Sequence, residues 1–206
     1  MAGTVQQPRS YRKRRRAEAE AETRRRITEA TVELHREVGP ARTTISAVAE
    51  RAGVQRLTVY RHFPTGAELF GACSAHWRAA HPIPDPTPWA AIADPDERLR
   101  AALGALYAWY RGDEEMIAKV GRDAPAIPAL AVIVADGLPA YLEAVRGLLM
   151  RGWGARGRRR DLLRAAIGHA LDFETWRSLE RRQGLSPEAA VALMCAAVRA
   201  VSSSTA

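Results

Sequence analysis

The 206-residue sequence contains only two cysteines, Cys73 and Cys195, which lie far apart along the chain. Two isolated thiols exclude a disulfide framework, and no CxxC pair is present to hold a metal ion. Each cysteine lies within an apolar helical pattern, so we expect buried thiols in a reducing compartment. The histidines show no ligand spacing either. The sequence therefore predicts neither a metal site nor a cofactor.

Long apolar runs are also missing. The basic residues 12–16 lead into alternating alanine and glutamate rather than into an apolar signal core. No run reaches the roughly 18 consecutive apolar residues that a membrane-spanning helix needs. The sequence therefore predicts a soluble, cytoplasmic protein without a membrane partner.

Motifs of catalysis are absent as well. The sequence has no GxSxG, HExxH, GxGxxG or phosphate-binding P-loop pattern, and catalysis needs a nucleophile, a base and an orienting group that converge. We therefore predict that the protein is not an enzyme. A helical enzyme acting on an apolar small molecule remains an alternative, because its active site can lack a local signature.

Charge is distributed unevenly along the chain. Residues 1–65 contain 14 arginines and lysines against 7 glutamates, a net charge of +7, whereas the whole chain carries +8. Such a basic segment attracts a polyanion, since neutralising phosphates releases counterions. A membrane surface would attract the same charge, so the choice of partner depends on the motif within the segment.

Residues 43–63 contain that motif. After Thr44, which can cap a helix, apolar residues recur at helical spacing: Ile45, Val48, Ala49 and Ala52. Gly53 then stands where the chain must turn through a positive φ. A second short helix follows, in which Leu57, Val59 and Phe63 are available for packing. Its polar residues face a partner: Gln55, Arg56, Thr58, Tyr60 and His62. Two short helices around one glycine are typical of a helix-turn-helix DNA-binding motif.

The run from Ala49 to Phe63, with its Ala-Gly-Val turn and its Thr-Val-Tyr-Arg-His-Phe ending, resembles the DNA-binding domain of the tetracycline-repressor (TetR) family. The resemblance implies an all-α fold, with an N-terminal three-helix helix-turn-helix domain and a C-terminal helical domain for ligand binding and dimerisation. It assigns base-edge or phosphate contacts to Gln55, Arg56, Leu57 and Thr58, and contacts with the DNA backbone to Tyr60 and His62. The hydroxyl of Thr44 can also meet a phosphate at a helix N-terminus.

The sequence departs from the family pattern at two places. Leu57 stands where a small residue is common, so its branched side chain either meets a thymine methyl or changes how closely the helix approaches DNA. Gly66 stands where the family commonly has a lysine, so one contact with the DNA backbone is missing. We predict that residues 1–22 form a disordered basic arm that offsets this loss. A solvated tail that raises only non-specific affinity is the alternative.

The resemblance and the helical pattern divide the rest of the chain. Residues 23–80 form the predicted DNA-binding domain, and residues 81–206 the effector-binding and dimerisation domain. Prolines between residues 81 and 95 predict a hinge or surface loop. A helix is predicted to begin at Asp94-Pro95 and to end near Gly112. Further helices are predicted at 113–121, 128–151, 161–183 and 186–201, with a break or kink at Gly137 and Pro139 and a loop over 152–160.

Aromatic residues on these helices are candidates for an apolar effector pocket: Tyr107, Tyr110, Phe173 and Trp176. A packed core explains any one of them equally well. In the TetR family the last two helices commonly form a four-helix dimer interface, so the resemblance implies a homodimer.

The resulting hypothesis is a ligand-responsive regulator of transcription. It is a repressor that a small apolar effector releases from a palindromic double-stranded DNA operator. A constitutive DNA-binding regulator without an effector is the principal alternative, and the helical enzyme is the other.

Overall fold

The computed structural model describes residues 9–203, in which every regular element is helical. The helices are α1 (Arg9–Glu37), α2 (Ile45–Arg51), α3 (Arg56–His62), α4 (Gly66–Ala80), α5 (Thr87–Ala90), α6 (Pro95–Asp123), α7 (Pro128–Ala135), α8 (Leu138–Leu149), α9 (Gly157–Leu171), α10 (Phe173–Arg177) and α11 (Pro187–Ser203). Short 3₁₀ turns lie at Pro40–Arg42 and Ala124–Ala126, and a π-helical turn lies at Ser178–Arg182. The predicted all-α fold is confirmed.

The chain forms two compact units, which are described separately. Within the described residues, the N-terminal unit comprises 9–80 together with Ala118–Ile133, and the C-terminal unit comprises His81–Ile117 and 134–203. The boundary between the predicted DNA-binding and effector-binding domains, placed after residue 80, stays a prediction about function. The predicted boundaries did not include the return of residues 118–133 to the first unit.

The core of the N-terminal unit is built on the apolar stripe of α1. Ile27, Thr31 and Leu34 lie on this stripe and are buried, and the Thr31 hydroxyl donates a hydrogen bond to the Ile27 carbonyl at 2.7 Å. This local bond satisfies the polar group, so threonine fits an apolar position. Helix α4 packs on α1 through residues that include Cys73. Burial raises the pKa of the Cys73 thiol to about 12, which keeps it neutral.

The C-terminal end of α6 lies in the N-terminal unit and binds the segment that precedes α2. The Asp123 carboxylate accepts a hydrogen bond from the Ala41 backbone N–H at 3.0 Å. It also pairs with the Arg122 guanidinium at 2.6 Å, and this bond lowers the pKa of Asp123. Lys119 donates to the Arg36 carbonyl at the end of α1. Two side chains of α6 thus fix the backbone between α1 and α2.

The C-terminal unit has a core formed by α6, α8, α9 and α11. Its fully buried side chains include Leu103, Leu149, Ile167 and Cys195. The start of α6 matches the prediction, because the Asp94 carboxylate accepts a hydrogen bond from the Glu97 N–H at 2.8 Å and Pro95 occupies the first helical position.

The prediction of a disordered arm over residues 1–22 is wrong for residues 9–22, which form the first turns of α1. Residues 1–8 lie outside the described range. Arginine, glutamate and alanine are strong helix formers, and Arg14 pairs with Glu18 one turn later at 3.5 Å. High helix propensity and charge pairs one turn apart therefore keep the first turns of α1 helical, although these turns bury no apolar face.

Helix ends in the C-terminal unit also differ from the prediction. Helix α6 continues through the exposed Gly112 to Asp123, since Arg111 and the buried Asp113 on either side bind Glu180 and His81. A glycine there costs only about 1 kcal/mol relative to alanine.

The predicted helix 161–183 is interrupted at Asp172, whose extended backbone lets its carboxylate cap the Glu174 N–H of α10 at 2.8 Å. Helix α9 also begins at Gly157, within the predicted loop 152–160. The predicted break at Gly137 is confirmed, because it separates α7 from α8.

One stretch of the described chain is long and apolar enough, by length and composition, to cross a membrane. It is Pro128–Leu149, in which an 18-residue window has a mean hydropathy of 1.4. Asp136, Glu143 and Arg146 interrupt its apolar residues, so it contains no run of about 18 apolar residues. In the structure the stretch forms two helices, α7 and α8, which Asp136 and Gly137 separate.

Candidate DNA-binding and effector sites

The helix-turn-helix motif is built as its sequence predicts. The Thr44 side chain caps α2 by accepting a hydrogen bond from the Ala47 N–H at 3.1 Å. Gly53 has a φ of 64°, and the Val54 N–H closes the turn onto the Ala49 carbonyl at 2.9 Å. A side chain at Gly53 would be strained in φ and would place a Cβ 2.9 Å from the Arg26 guanidinium. The turn therefore requires glycine at this position.

Two arginines of α1 hold the motif in place. Arg24 donates to the His62 carbonyl at 2.5 Å, and its guanidinium lies over the Phe63 ring at 4.0 Å. Arg26 donates to the Ala52 carbonyl at the turn. In the sequence both arginines are recognisable only as part of the basic charge of residues 1–65. Their spacing on α1 gave no signal of this role, because their partners lie 38 and 26 residues away.

Helix α3 buries one side and exposes the other. Val59 and Phe63 are 0% and 3% exposed, whereas Leu57 is 75% and Tyr60 46% exposed. The exposed face, which we call the α3 face, comprises Gln55, Arg56, Leu57, Tyr60 and Arg61, with Thr58 half-buried at its edge. The side chain of Gln55 makes no cap bond to α3. Guanidinium, amide and hydroxyl groups on one short helix provide the donors and acceptors that base edges and phosphates bind.

His62 does not belong to this face. Its side chain is buried, at 8% exposure, because position 62 lies three residues after Val59 on the same side of the helix. This burial disfavours a DNA contact from the His62 side chain, and the contact stays a prediction. Arg61, which sequence analysis left out, occupies an exposed position instead. Helical spacing from Val59 and Phe63 indicates that position 62 is buried and position 61 is exposed.

The four predicted pocket residues of the C-terminal unit form one aromatic cluster. Tyr110 contacts Phe173 edge-on at 5.3 Å between ring centroids and lies 5.7 Å from Trp176, while Tyr107 lies 6.4 Å from Tyr110. Tyr107, Tyr110 and Trp176 are fully buried. The cluster therefore packs as core, which was the alternative interpretation of these residues.

Both tyrosine hydroxyls of the cluster are bonded to the backbone. Tyr107 donates to the Ala170 carbonyl and Tyr110 to the Leu171 carbonyl, each at 2.8 Å. Burial raises the pKa of both phenols. The Trp176 indole N–H, in contrast, has no acceptor within residues 9–203 although it is buried. A buried unpaired donor costs about 1–3 kcal/mol.

A cavity lies beside this cluster, between α6 and the start of α11. Its volume is about 350 Å³. It is lined by Arg100, Gly104, Tyr107, Arg111, Pro187, Glu188 and Val191. Of the four predicted pocket residues, only Tyr107 lines it. The sequence contains no signal for the cavity, because its two walls come from α6 and α11, whose lining residues lie 76 or more positions apart.

Helices α9 and α11 pack against each other and leave apolar side chains exposed. Leu193 is 46% and Leu162 is 52% exposed. Around Leu193, α11 exposes a stripe of alanines at helical spacing: Ala189, Ala192, Ala196 and Ala200. Small residues allow a second helix to approach closely, and an exposed apolar stripe is typical of an interface.

Comparison with known proteins agrees with this geometry. Residues 27–73 match the sequence profile of bacterial regulatory proteins of the tetR family. No curated protein matches the sequence. A TetR-like transcriptional regulator from Rhodococcus sp. RHA1 is similar in structure, with a TM-score of 0.63, 17% identity, and coverage of 88% of this chain and 97% of that one.

Two further solved structures are similar. A putative TetR-family transcriptional regulator from Mesorhizobium loti has a TM-score of 0.60 and 18% identity, with coverage of 88% of this chain and 96% of its own. The transcriptional regulator FadR from Bacillus subtilis, solved in complex with stearoyl-CoA, has a TM-score of 0.56 and 21% identity, with coverage of 86% and 97%. At these identities the likeness shows the fold.

Proposed function

We propose that this chain is a TetR-family regulatory protein and an effector-responsive, cytoplasmic repressor of transcription, which the match of residues 27–73 and the shared fold support. The observation that carries the proposal is the α3 face. Arg56 and Tyr60 project from a helix whose other side is fixed by the buried Val59 and Phe63. In such a motif the second helix enters the major groove, where side chains read base edges.

Contacts on this face have distinct proposed roles. Arg56 pairs with guanine and Gln55 with adenine, at about 1–3 kcal/mol of discrimination for each pair. Leu57 meets a thymine methyl, since it is the most exposed apolar residue of the face. Thr44 already caps α2, and its exposed position at the helix N-terminus also suits a phosphate.

DNA selection tests the proposal. Purified protein is used to select fragments of genomic DNA at a stated salt concentration, and the selection is repeated with a variant carrying Arg56→Ala and Tyr60→Ala. We expect a near-palindromic motif that the double variant loses. Arg78→Ala is the matched control, because Arg78 is an exposed arginine on α4. Salt-sensitive binding without any sequence preference, or a motif that the double variant retains, would refute specific recognition by α3.

A palindromic operator requires a dimer, which we propose to form through α9 and α11. The exposed alanine stripe around Leu193 supports this interface. Leu193→Glu would bury a carboxylate in the interface, so we expect it to shift the protein to monomers in analytical ultracentrifugation. Val132→Glu is the control, because Val132 is 66% exposed on α7. A monomeric wild type, or a dimer that Leu193→Glu leaves intact, would exclude this interface.

The proposed effector binds the C-terminal unit and lowers DNA affinity. Two observations support a ligand with an apolar part: the cavity next to Tyr107, and a structural neighbour solved with stearoyl-CoA. Effector and DNA would then oppose each other through a coupling free energy of typically about 1–3 kcal/mol. The dense packing of Tyr110, Phe173 and Trp176 favours the constitutive regulator as second candidate. Melting temperatures that stay flat across a ligand library would support that candidate.

A further inference from the structure

We propose that the cavity between α6 and α11 binds a small organic anion with an apolar body, held by the guanidinium groups of Arg100 and Arg111. The inference rests on the proposed function in one respect, since it gives the chemical class of the effector. The binding site itself follows from the lining of the cavity alone.

Arg100 retains most of its hydrogen-bond donors. Its nearest acid is Asp96, whose Oδ2 lies 3.6 Å from the Arg100 Nη2, beyond a normal hydrogen bond. Asp96 is already held by Arg199, with contacts of 2.5 Å and 3.3 Å to its two oxygens. Arg100 is therefore redundant in this cluster, and its guanidinium is available to a ligand in the cavity.

Arg111 is held in place by one hydrogen bond and keeps most of its N–H donors for a ligand. Its Nη1 donates to Glu180 Oε1 at 2.7 Å, and the Glu180 side chain is only 4% exposed. This bond uses one of the five N–H donors of a guanidinium and fixes the group at the cavity. A planar guanidinium with free donors matches a carboxylate or phosphate, which it binds with charge-assisted hydrogen bonds.

The cavity also contains one acid, Glu188, which is engaged locally. Its carboxylate bonds to its own backbone N–H and to the Ser186 hydroxyl at the start of α11, and these bonds, with the nearby charge of Arg111, lower the pKa of Glu188. Glu188 thus stays ionised, and its charge offsets one of the two guanidinium groups. Among the lining residues themselves, two guanidinium groups stand against one carboxylate, and this net positive charge favours an anion over a cation.

The floor between the two arginines is apolar. Arg100, Gly104, Tyr107 and Arg111 follow one another at intervals of four, three and four residues, so they form one stripe along α6. A Cβ at Gly104 would meet no atom within 4 Å, which leaves open space above the helix. Val191 contributes the facing wall. A volume of about 350 Å³ is at the small end of ligand sites, so it fits a single ring or a short chain.

Isothermal titration of the full-length protein, without DNA, tests the site. The probes are octanoate and benzoate, each with its uncharged amide as control, and inorganic phosphate to distinguish a carboxylate from a phosphate ligand. We expect saturable binding of at least one anion and none of the amides. Arg100→Gln should weaken binding by ~10- to 100-fold, the value of one charge-assisted bond. Gly104→Leu should abolish it by filling the cavity.

Control variants separate the site from the fold. Arg160→Gln, an exposed arginine on α9, should leave binding unchanged. Arg111→Gln should also weaken binding, but it leaves the buried Glu180 without this partner, so its unfolding must be measured alongside. Arg100→Gln leaves Asp96 with Arg199 and keeps the test independent of folding. Absence of saturable binding for all three anions, or binding that Arg100→Gln and Gly104→Leu do not change, would overturn the proposal.

A second measurement separates this inference from the proposed function. Operator release is measured with and without the anion that binds. Binding without release would retain the site and exclude its role as the effector site. Release of DNA by a compound that still acts on Gly104→Leu would place the effector elsewhere and overturn the assignment of its class.

Discussion

Gly39 offers a sharp test of how α6 holds the segment before the helix-turn-helix. Its backbone has a φ of 93° and a ψ of 158°, a region that essentially only glycine occupies and that costs other residues about 1–3 kcal/mol. A Cβ there would lie 2.5 Å from the Arg122 Nη2 and 2.6 Å from the Asp123 Oδ2. Gly39→Ala therefore combines backbone strain with a clash against the ion pair that binds Ala41.

The clash must displace the Asp123 carboxylate, which then loses its bond to the Ala41 N–H. A buried group that loses its partner costs about 1–3 kcal/mol. Together we expect a loss of about 2–5 kcal/mol in the free energy of unfolding, which for a chain of this size lowers the melting temperature by roughly 5–15 °C. Urea unfolding and calorimetry measure both quantities.

Gly121→Ala is the matched control for Gly39→Ala. Gly121 lies within α6, and a Cβ there meets nothing within 4 Å, so alanine should stabilise the helix by about 0.5–1 kcal/mol. Gly39→Ala is then repeated in an Asp123→Ala background, where the clash term should be smaller. If Gly39→Ala unfolds within about 0.5 kcal/mol of wild type, the backbone is not held as described, and the reasoning fails.

Three further predictions follow from buried groups and from the N-terminal segment. Burial lowers the pKa of His35 to about 4, below the 6.5 of an unfolded histidine, so the unfolded chain binds the proton first as pH falls. The free energy of unfolding should therefore drop by up to about 3 kcal/mol between pH 6.5 and 4. His35 stacks on Phe70, so His35→Phe should keep the packing and flatten the dependence of the free energy of unfolding on pH, measured by urea titration. An unchanged pH dependence would show that His35 is not its source. Trp176→Phe should cost less than about 1 kcal/mol, because it removes an unpaired buried N–H. A loss as large as that of Leu171→Ala, about 2–5 kcal/mol, would contradict this expectation, because the cost of the cavity or of a lost bond would then exceed the gain from removing the N–H. Deleting residues 1–16 should weaken operator binding and reduce its salt dependence, and unchanged binding would show that this segment does not contact DNA.

Local patterns predicted the parts of the structure that depend on neighbouring residues. Thr44 as a cap, Gly53 as a turn and the Asp94-Pro95 start of α6 each need only a few adjacent positions, and each is present. The end of α6 was missed because Gly112 is tolerated when its neighbours are held by residues far along the chain, such as Glu180.

The effector site was predictable only in part. Helical spacing correctly placed Tyr107, Tyr110 and Trp176 toward the interior. Helical spacing cannot distinguish a cavity from a filled core, because the difference depends on which side chains of other helices pack against each ring. The hydroxyls of both tyrosines meet carbonyls at the end of α9, more than 60 residues away. Gly104 lines the cavity, and a Cβ there would meet no atom within 4 Å, which no local sequence pattern indicates.

The basic charge of the N-terminal segment is divided between two roles, which changes what DNA affinity should reflect. Arg24 and Arg26 bind backbone carbonyls of the helix-turn-helix. Arg25 and Arg51 each form ion pairs with two glutamates. These four side chains stabilise the module and contribute less to phosphate binding than their number suggests. Phosphate neutralisation should therefore depend on Arg56 and Arg61 of α3 and on the basic start of α1. A salt slope smaller than the composition implies is the expected consequence, because each phosphate contact contributes about 0.9 to it.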